Sequence, residues 1–235
     1  MQSSAKQCKA VKQQNSKEKE RMIALVKMIV AIVSLIVIPI SLIVFFTKVD
    51  DEYRDKIKLN NKDIIIISLV AVGYIAITLK LNYISIEHYI VMTLLNGYLV
   101  FMSYTDQKTQ ELYSMISTLI IIVSTPIVFV LVFSGKVTFT EYDILLVPLI
   151  LLLELLGKMN LLGSGDVSIY KVIILYELVW SKNPFMNLLI NLLIADGIFL
   201  IITCTIKFIT KNKKKSMPFT LYIAVATFIC NLFII

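Results

Sequence analysis

The chain has 235 residues, of which 58% are hydrophobic, with a formal net charge of +7 and a mean hydropathy of +0.84. Soluble domains average about 45–50% apolar residues, so this composition excludes a water-soluble globular protein and leaves no length for a catalytic domain outside a lipid bilayer. The three scattered cysteines, Cys8, Cys204 and Cys230, argue against a disulfide framework or zinc knuckle, and the single His88 argues against a histidine metal site or a Ser-His-Asp triad.

Eight apolar stretches follow one another: 22–46, 63–80, 84–104, 112–133, 144–162, 167–181, 186–209 and 218–235. At about 20 residues per crossing, they predict an all-α polytopic membrane protein of about eight transmembrane helices. Ahead of them, residues 1–21 carry Lys6, Lys9, Lys12, Lys17, Lys19 and Arg21 against Glu18 and Glu20. That composition predicts a basic disordered tail, drawn to anionic lipid rather than to nucleic acid. The run 22–46 lacks a small-residue cleavage site and reads as a retained anchor. Residues 22–83 form an N-terminal pair of anchor helices around a charged 48–62 loop, and 84–235 form the membrane core. His88, beside Glu87 at the start of a stretch, reads as an interfacial polar residue. Cys204 and Cys230 read as packing residues.

The core carries two acidic residues at stretch boundaries. Asp106 sits in a polar patch from Ser103 to Glu111, and Asp166 closes the tetrapeptide Gly163-Ser164-Gly165-Asp166. The 60 positions between them are about what a chain needs to cross a bilayer twice and return to the same side. Charges at membrane edges are costly and usually face protein interior or water. Each has a bland reading: Asp106 as a loop carboxylate beside Lys108, and Asp166 as the N-cap of the helix opened at Val167. The glycines give the chain before Asp166 backbone conformations closed to other residues. Two carboxylates brought close cannot both ionise cheaply, so one proton is shared and one pKa rises. The ionised member then takes a proton from water while the protonated member supports a peptide carbonyl. This is aspartyl-protease chemistry, and it needs neither metal nor cofactor.

At these residues the chain resembles the type IV prepilin and preflagellin peptidases, the GxGD membrane aspartyl proteases. In that pattern an aspartate at the cytoplasmic end of one span is followed by an aliphatic residue and proline, and Gly-x-Gly-Asp-Val-Lys opens a helix two spans later. Here Asp106 precedes Leu112-Tyr113, and Gly163-Ser164-Gly165-Asp166-Val167 matches the second motif. Tyr113 stands where proline is usual and Ser168 where lysine is usual, departures that bear on efficiency or substrate preference. The resemblance implies a six-helix peptidase core with Asp106 and Asp166 as catalytic dyad, and Gly163, Ser164 and Gly165 as a flexible substrate-facing loop. It also implies prepilin-like precursors as partners, cut behind a short basic leader at the cytoplasmic face of the plasma membrane. The paired CxxC motifs of the long bifunctional members are absent, so methyltransferase activity is not carried over.

Loop charges point the same way. With both aspartates inside, eleven basic residues from Lys48 onward are cytoplasmic, against Lys80, Lys136 and Lys182 outside. The basic tail breaks the bias, because strict alternation places it outside. Either the first stretch turns near Pro39 or 63–80 is re-entrant. Three further acids lie within apolar stretches. Glu154 can pair with Lys158 four residues on. Glu177, eleven residues after Asp166 on nearly the same helix face, either lines a groove or bonds a neighbouring helix. Asp196 has no evident partner. They leave open a small transporter, while Tyr113 and Ser168 leave open an inactive member that binds pilin helices.

Overall fold

In a computed structural model the described residues are 2–49, 56–79, 85–109, 114–137, 140–159, 162–210 and 219–233. Tyr113, Lys80, Arg54 and the cluster Lys211, Lys213, Lys214 and Lys215 lie outside them. Among the described residues every regular element is helical. In chain order these are α1 (Gln2–Ile32), a π-helical turn (Val33–Val37), α2 (Ile38–Val49), α3 (Asn61–Thr78), α4 (Ile86–Thr109) and α5 (Ser114–Phe133). A 3₁₀ turn (Glu141–Leu145) then leads into α6 (Leu146–Lys158), followed by α7 (Ser164–Trp180), α8 (Pro184–Thr210) and α9 (Thr220–Phe233).

All eight apolar stretches are helical, but four helices are long and apolar enough by themselves to cross a membrane: Lys17–Val49, Asn61–Thr78, Met115–Phe133 and Pro184–Thr205. The reason is the position of the others. α4 packs against α1, the π turn, α2, α7 and α9, and α7 packs against α4, α5, α6 and α8. These two helices form the interior. Their buried residues include His88, Asn96, Asp106, Asp166 and Glu177, which lower their hydropathy because they face protein rather than lipid.

Three expectations for the N-terminal region change. Residues from Gln2 onward are helical rather than disordered. The segment is rich in Ala, Lys, Gln and Glu, all strong helix formers, and it contains neither glycine nor proline. Secondly, the chain does not turn near Pro39. Proline lacks an N–H and crowds the carbonyl four residues back. The π turn immediately before it widens the helix and lets the axis continue into α2. The same turn is where α4 approaches closely, through Gly97. A Cβ on Gly97 of α4 would lie 2.0 Å from the Ser34 carbonyl oxygen.

Thirdly, the 63–80 stretch is not re-entrant. Asp63 at the start of α3 accepts from Tyr104 Oη (3.1 Å) and Lys108 Nζ (3.1 Å) at the end of α4. At the other end Thr78 Oγ1 and Tyr89 Oη lie 3.1 Å apart. The helices are therefore antiparallel over their whole length. Lys27 Nζ stands 5.2 Å over the Tyr89 ring, so α1 enters from the face opposite Asp63 and Asp106. The helices alternate in direction, which places residues 2–21 at the end of the bundle away from the aspartates. With their six basic residues and Lys27 on that side, the two faces become nearly equal in basic residues, and loop charge no longer fixes the orientation.

Candidate active site

Three helix ends converge at one face: the last turn of α4, the first turn of α7 and the first turn of α9. Asp106 lies two residues beyond the apolar stretch 84–104, and Asp166 one residue before 167–181. Both side chains are nonetheless buried, at 7% and 8% exposure. Thr220, the first residue of α9, is fully buried between them. Its N–H donates to Asp106 Oδ2 (3.1 Å), and its Oγ1 lies 3.2 Å from Asp166 Oδ1. A helix N-terminus favours negative charge because its first N–H groups lack intrahelical partners, and α9 presents that end to Asp106.

The electrostatics follow from this packing. Burial raises the Asp106 carboxyl above its usual range, opposed by the N–H groups of Thr220 and Phe219 and the Thr220 hydroxyl. Asp166 is pushed up to about 7, first by burial and then by the charge of Asp106, against the Thr220 hydroxyl and the Gly163 N–H. Among the described residues the ion pairs are Lys108–Asp63 and Lys171–Glu154, so neither aspartate has a cation of its own. This disposes of the reading of Asp106 as a loop carboxylate beside Lys108, since that lysine is held by Asp63. Asp106 is also helical and buried, not in a wet loop.

The tetrapeptide works differently from the expected flexible loop. Gly163 caps α7 with ordinary dihedrals (φ −63°, ψ 138°), while Ser164, Gly165 and Asp166 form its first turn. Asp166 is therefore the third helical residue and not the N-cap. From there its carboxylate reaches back to the Gly163 N–H. A Cβ on Gly163 would lie 2.8 Å from Asp166 Oδ2, so glycine is needed here for space rather than for backbone freedom. Ser168 Oγ bonds the Ser164 carbonyl at 3.1 Å and takes no part in the site.

The other acids are not brought together. Glu177 is buried at the far end of α7, where its Oε2 accepts from Asn187 Nδ2 of α8 (3.1 Å); the same amide donates to Ser181 Oγ (2.7 Å). It bonds a neighbouring helix. Glu154 pairs with Lys171 across α6 and α7 rather than with Lys158 alone. Asp196 is exposed on α8, and Cys204 is exposed too, while Cys230 is buried. His88 is not interfacial. It is buried, with Nε2 2.8 Å from Tyr176 Oη and its ring stacked 4.8 Å from Trp180.

Sequence reasoning missed Thr220. It opens the last apolar stretch, and Ser/Thr at a helix start is an ordinary capping signal, so nothing local marks it out. Tyr170, one turn after Asp166, also went unnoticed; its hydroxyl is fully buried with no hydrogen-bond partner among the described residues. No protein-family model matches the chain, and neither does any curated protein or solved structure.

Proposed function

We propose that this protein is a membrane-embedded aspartyl endopeptidase that removes the basic leader of prepilin-like precursors, with Asp106 and Asp166 as its dyad. One observation carries the reading: two buried carboxylates from separate helices share a single threonine and have no cation of their own among the described residues. Structural acids are usually neutralised by a partner, as Asp63 is here. A pair left in mutual repulsion holds one proton between its members, which is the state that acid–base hydrolysis requires.

In the reaction the ionised aspartate removes a proton from water as the oxygen attacks the scissile carbonyl. The protonated aspartate donates to the carbonyl oxygen, giving a neutral tetrahedral intermediate. As the C–N bond breaks, the leaving amine takes the proton held by one aspartate while a hydroxyl of the intermediate returns its proton to the other, which restores the single shared proton. A groove of about 360 Å³ between α3, α4 and α9 adds support, because its wall includes Ser103, one turn before Asp106, and Leu221, next to Thr220. An apolar precursor segment lying there is beside the aspartates. The cytoplasmic face and the leader specificity come from the resemblance of the two aspartate motifs. The transport reading has less to rest on, since Glu154 and Glu177 are each held by a partner and Asp196 lies apart on the surface.

The test is co-expression of a tagged precursor with the wild type, Asp106→Asn and Asp166→Asn. Cleavage by the wild type alone supports the proposal. A panel of precursors left uncut by a folded, membrane-inserted wild type removes it.

A further inference from the structure

We infer that Thr220 is the positioning residue of the aspartate pair: its N–H donates to Asp106 and its hydroxyl bonds Asp166, so one residue ties the two carboxylates to each other. This rests on the reading of the pair as catalytic. The two bonds differ in kind. A backbone N–H can only donate, so the Asp106 oxygen it meets accepts whatever the charge of the carboxyl. A hydroxyl can donate or accept, and the Asp166 oxygen it meets can therefore carry a proton without losing the bond. Asp106 meets the N-terminal end of α9, while Asp166 sits in the first turn of α7 and takes the Gly163 N–H, so each carboxylate has a helix end and the Thr220 hydroxyl is the group they share.

Thr220 is the residue that meets both carboxylates. Facing Asp166 are Asp106 from α4, the Gly163 N–H and Tyr170 from its own helix, and Thr220 from α9. Asp196 of α8 and Cys230 of α9 act on the Tyr170 hydroxyl rather than on the carboxylate. From α6, Glu154 is taken by Lys171, and Lys158 is exposed. α5 has no ionisable side chain. Thr220 is also fully buried, so water does not compete for either bond.

The experiment compares wild type, Thr220→Val and Thr220→Ser. Valine keeps the shape and the N–H but removes the hydroxyl, whereas serine keeps both. Two readouts are taken on each folded protein: the pH profile of precursor cleavage, and the infrared titration of the buried carboxyls, assigned against Asp166→Asn. For Thr220→Val we expect kcat to fall about tenfold or more at unchanged KM, with the alkaline limb about one pH unit higher, the size of one lost bond to a charged acceptor. Thr220→Ser is expected within about threefold of wild type, since both bonds survive. A valine variant with wild-type kcat and an unmoved carboxyl titration overturns the inference, as does a serine variant as damaged as valine. If wild type cuts no precursor yet the titration moves in valine and not in serine, Thr220 does govern the pair and the protease reading is what fails.

Discussion

The two ends of the α4–α7 pair bury acidic residues in opposite ways. At the far end His88, Tyr176 and Trp180 interlock, and Glu177 takes hydrogens from Asn187. Polar groups there are matched one to one, as expected where unmatched groups cost about 1–3 kcal/mol each. At the near end two carboxylates converge on one threonine, while Lys108, two residues from Asp106, is committed to Asp63. Asp63 itself gathers the Asn60 N–H, the Tyr104 hydroxyl and Lys108. The same bundle thus contains acids each bonded to neutral or cationic partners and a pair whose members also repel each other. Glu177 is buried without a cation too, so it is the second carboxylate that distinguishes the near end.

The sharpest way to break this contrast is to neutralise one acid at each end. Asp166→Asn is expected to lower cleavage by at least about 10³-fold, because the dyad loses its exchangeable proton, while the melting temperature holds or rises as repulsion disappears. Glu177→Gln preserves the acceptor for Asn187 and should leave cleavage nearly unchanged. Equal losses from the two substitutions, in a precursor-cleavage assay, erase the distinction between the ends.

The pH dependence of stability reports on the burial of the pair. The folded Asp166 carboxyl titrates at about 7, above its usual 3.8. Between those values the folded state binds more protons than the unfolded one, so stability falls as pH rises through that window and is level above it. The drop is expected to be about 2–4 kcal/mol, seen in detergent unfolding at pH 4, 5.5 and 7. Asp166→Asn should lessen the drop, the remainder belonging to the other buried acids, Asp106 and Glu177. A wild type equally stable at all three values contradicts the packing described for the pair.

Much of this was legible in the chain and some was not. Every apolar stretch became a helix, since apolar runs of that length have few other ways to satisfy their backbones in lipid. Asp106 and Asp166 meet because two crossings return the chain to the same face. Sequence did not reveal why glycine precedes Asp166. The expected backbone freedom is replaced by a lack of room for a Cβ, which depends on where the carboxylate folds back. Nor did it reveal Thr220, which meets the pair only because α9 begins beside Asp106, 114 residues along the chain from it. Pro39 misled because a π turn absorbs it, an adjustment invisible to propensity.

Two glycines test the frame that holds both ends in register. Gly97→Ala places a methyl 2.0 Å from the Ser34 carbonyl oxygen, so α4 must move off the π turn. Overpacking of this kind costs about 2–3 kcal/mol, and the melting temperature should fall with activity following it. Gly163→Ala is local. Its methyl falls 2.8 Å from Asp166 Oδ2 and displaces the carboxylate from Thr220. Cleavage is expected to drop about tenfold through misplacement, with little change in melting temperature. If Gly163→Ala instead unfolds the protein while remaining active where folded, the glycine serves the helix start rather than the dyad.

The smallest expected effect concerns Lys171. The resembling family usually places a lysine two residues after the second aspartate, where this chain has Ser168, and Lys171 is the first lysine beyond it. Lys171 nevertheless reaches Glu154 on α6, and both partners are about one-third exposed. Exposed pairs of this kind contribute about 0–1 kcal/mol. Lys171→Met is therefore expected to lower stability by less than about 1 kcal/mol and to leave the cleavage pH profile where it was. A displaced profile requires Lys171 to act on the dyad across the first turns of α7. The near end then has a cation after all, and its difference from the neutralised acids of the bundle becomes one of distance rather than of kind.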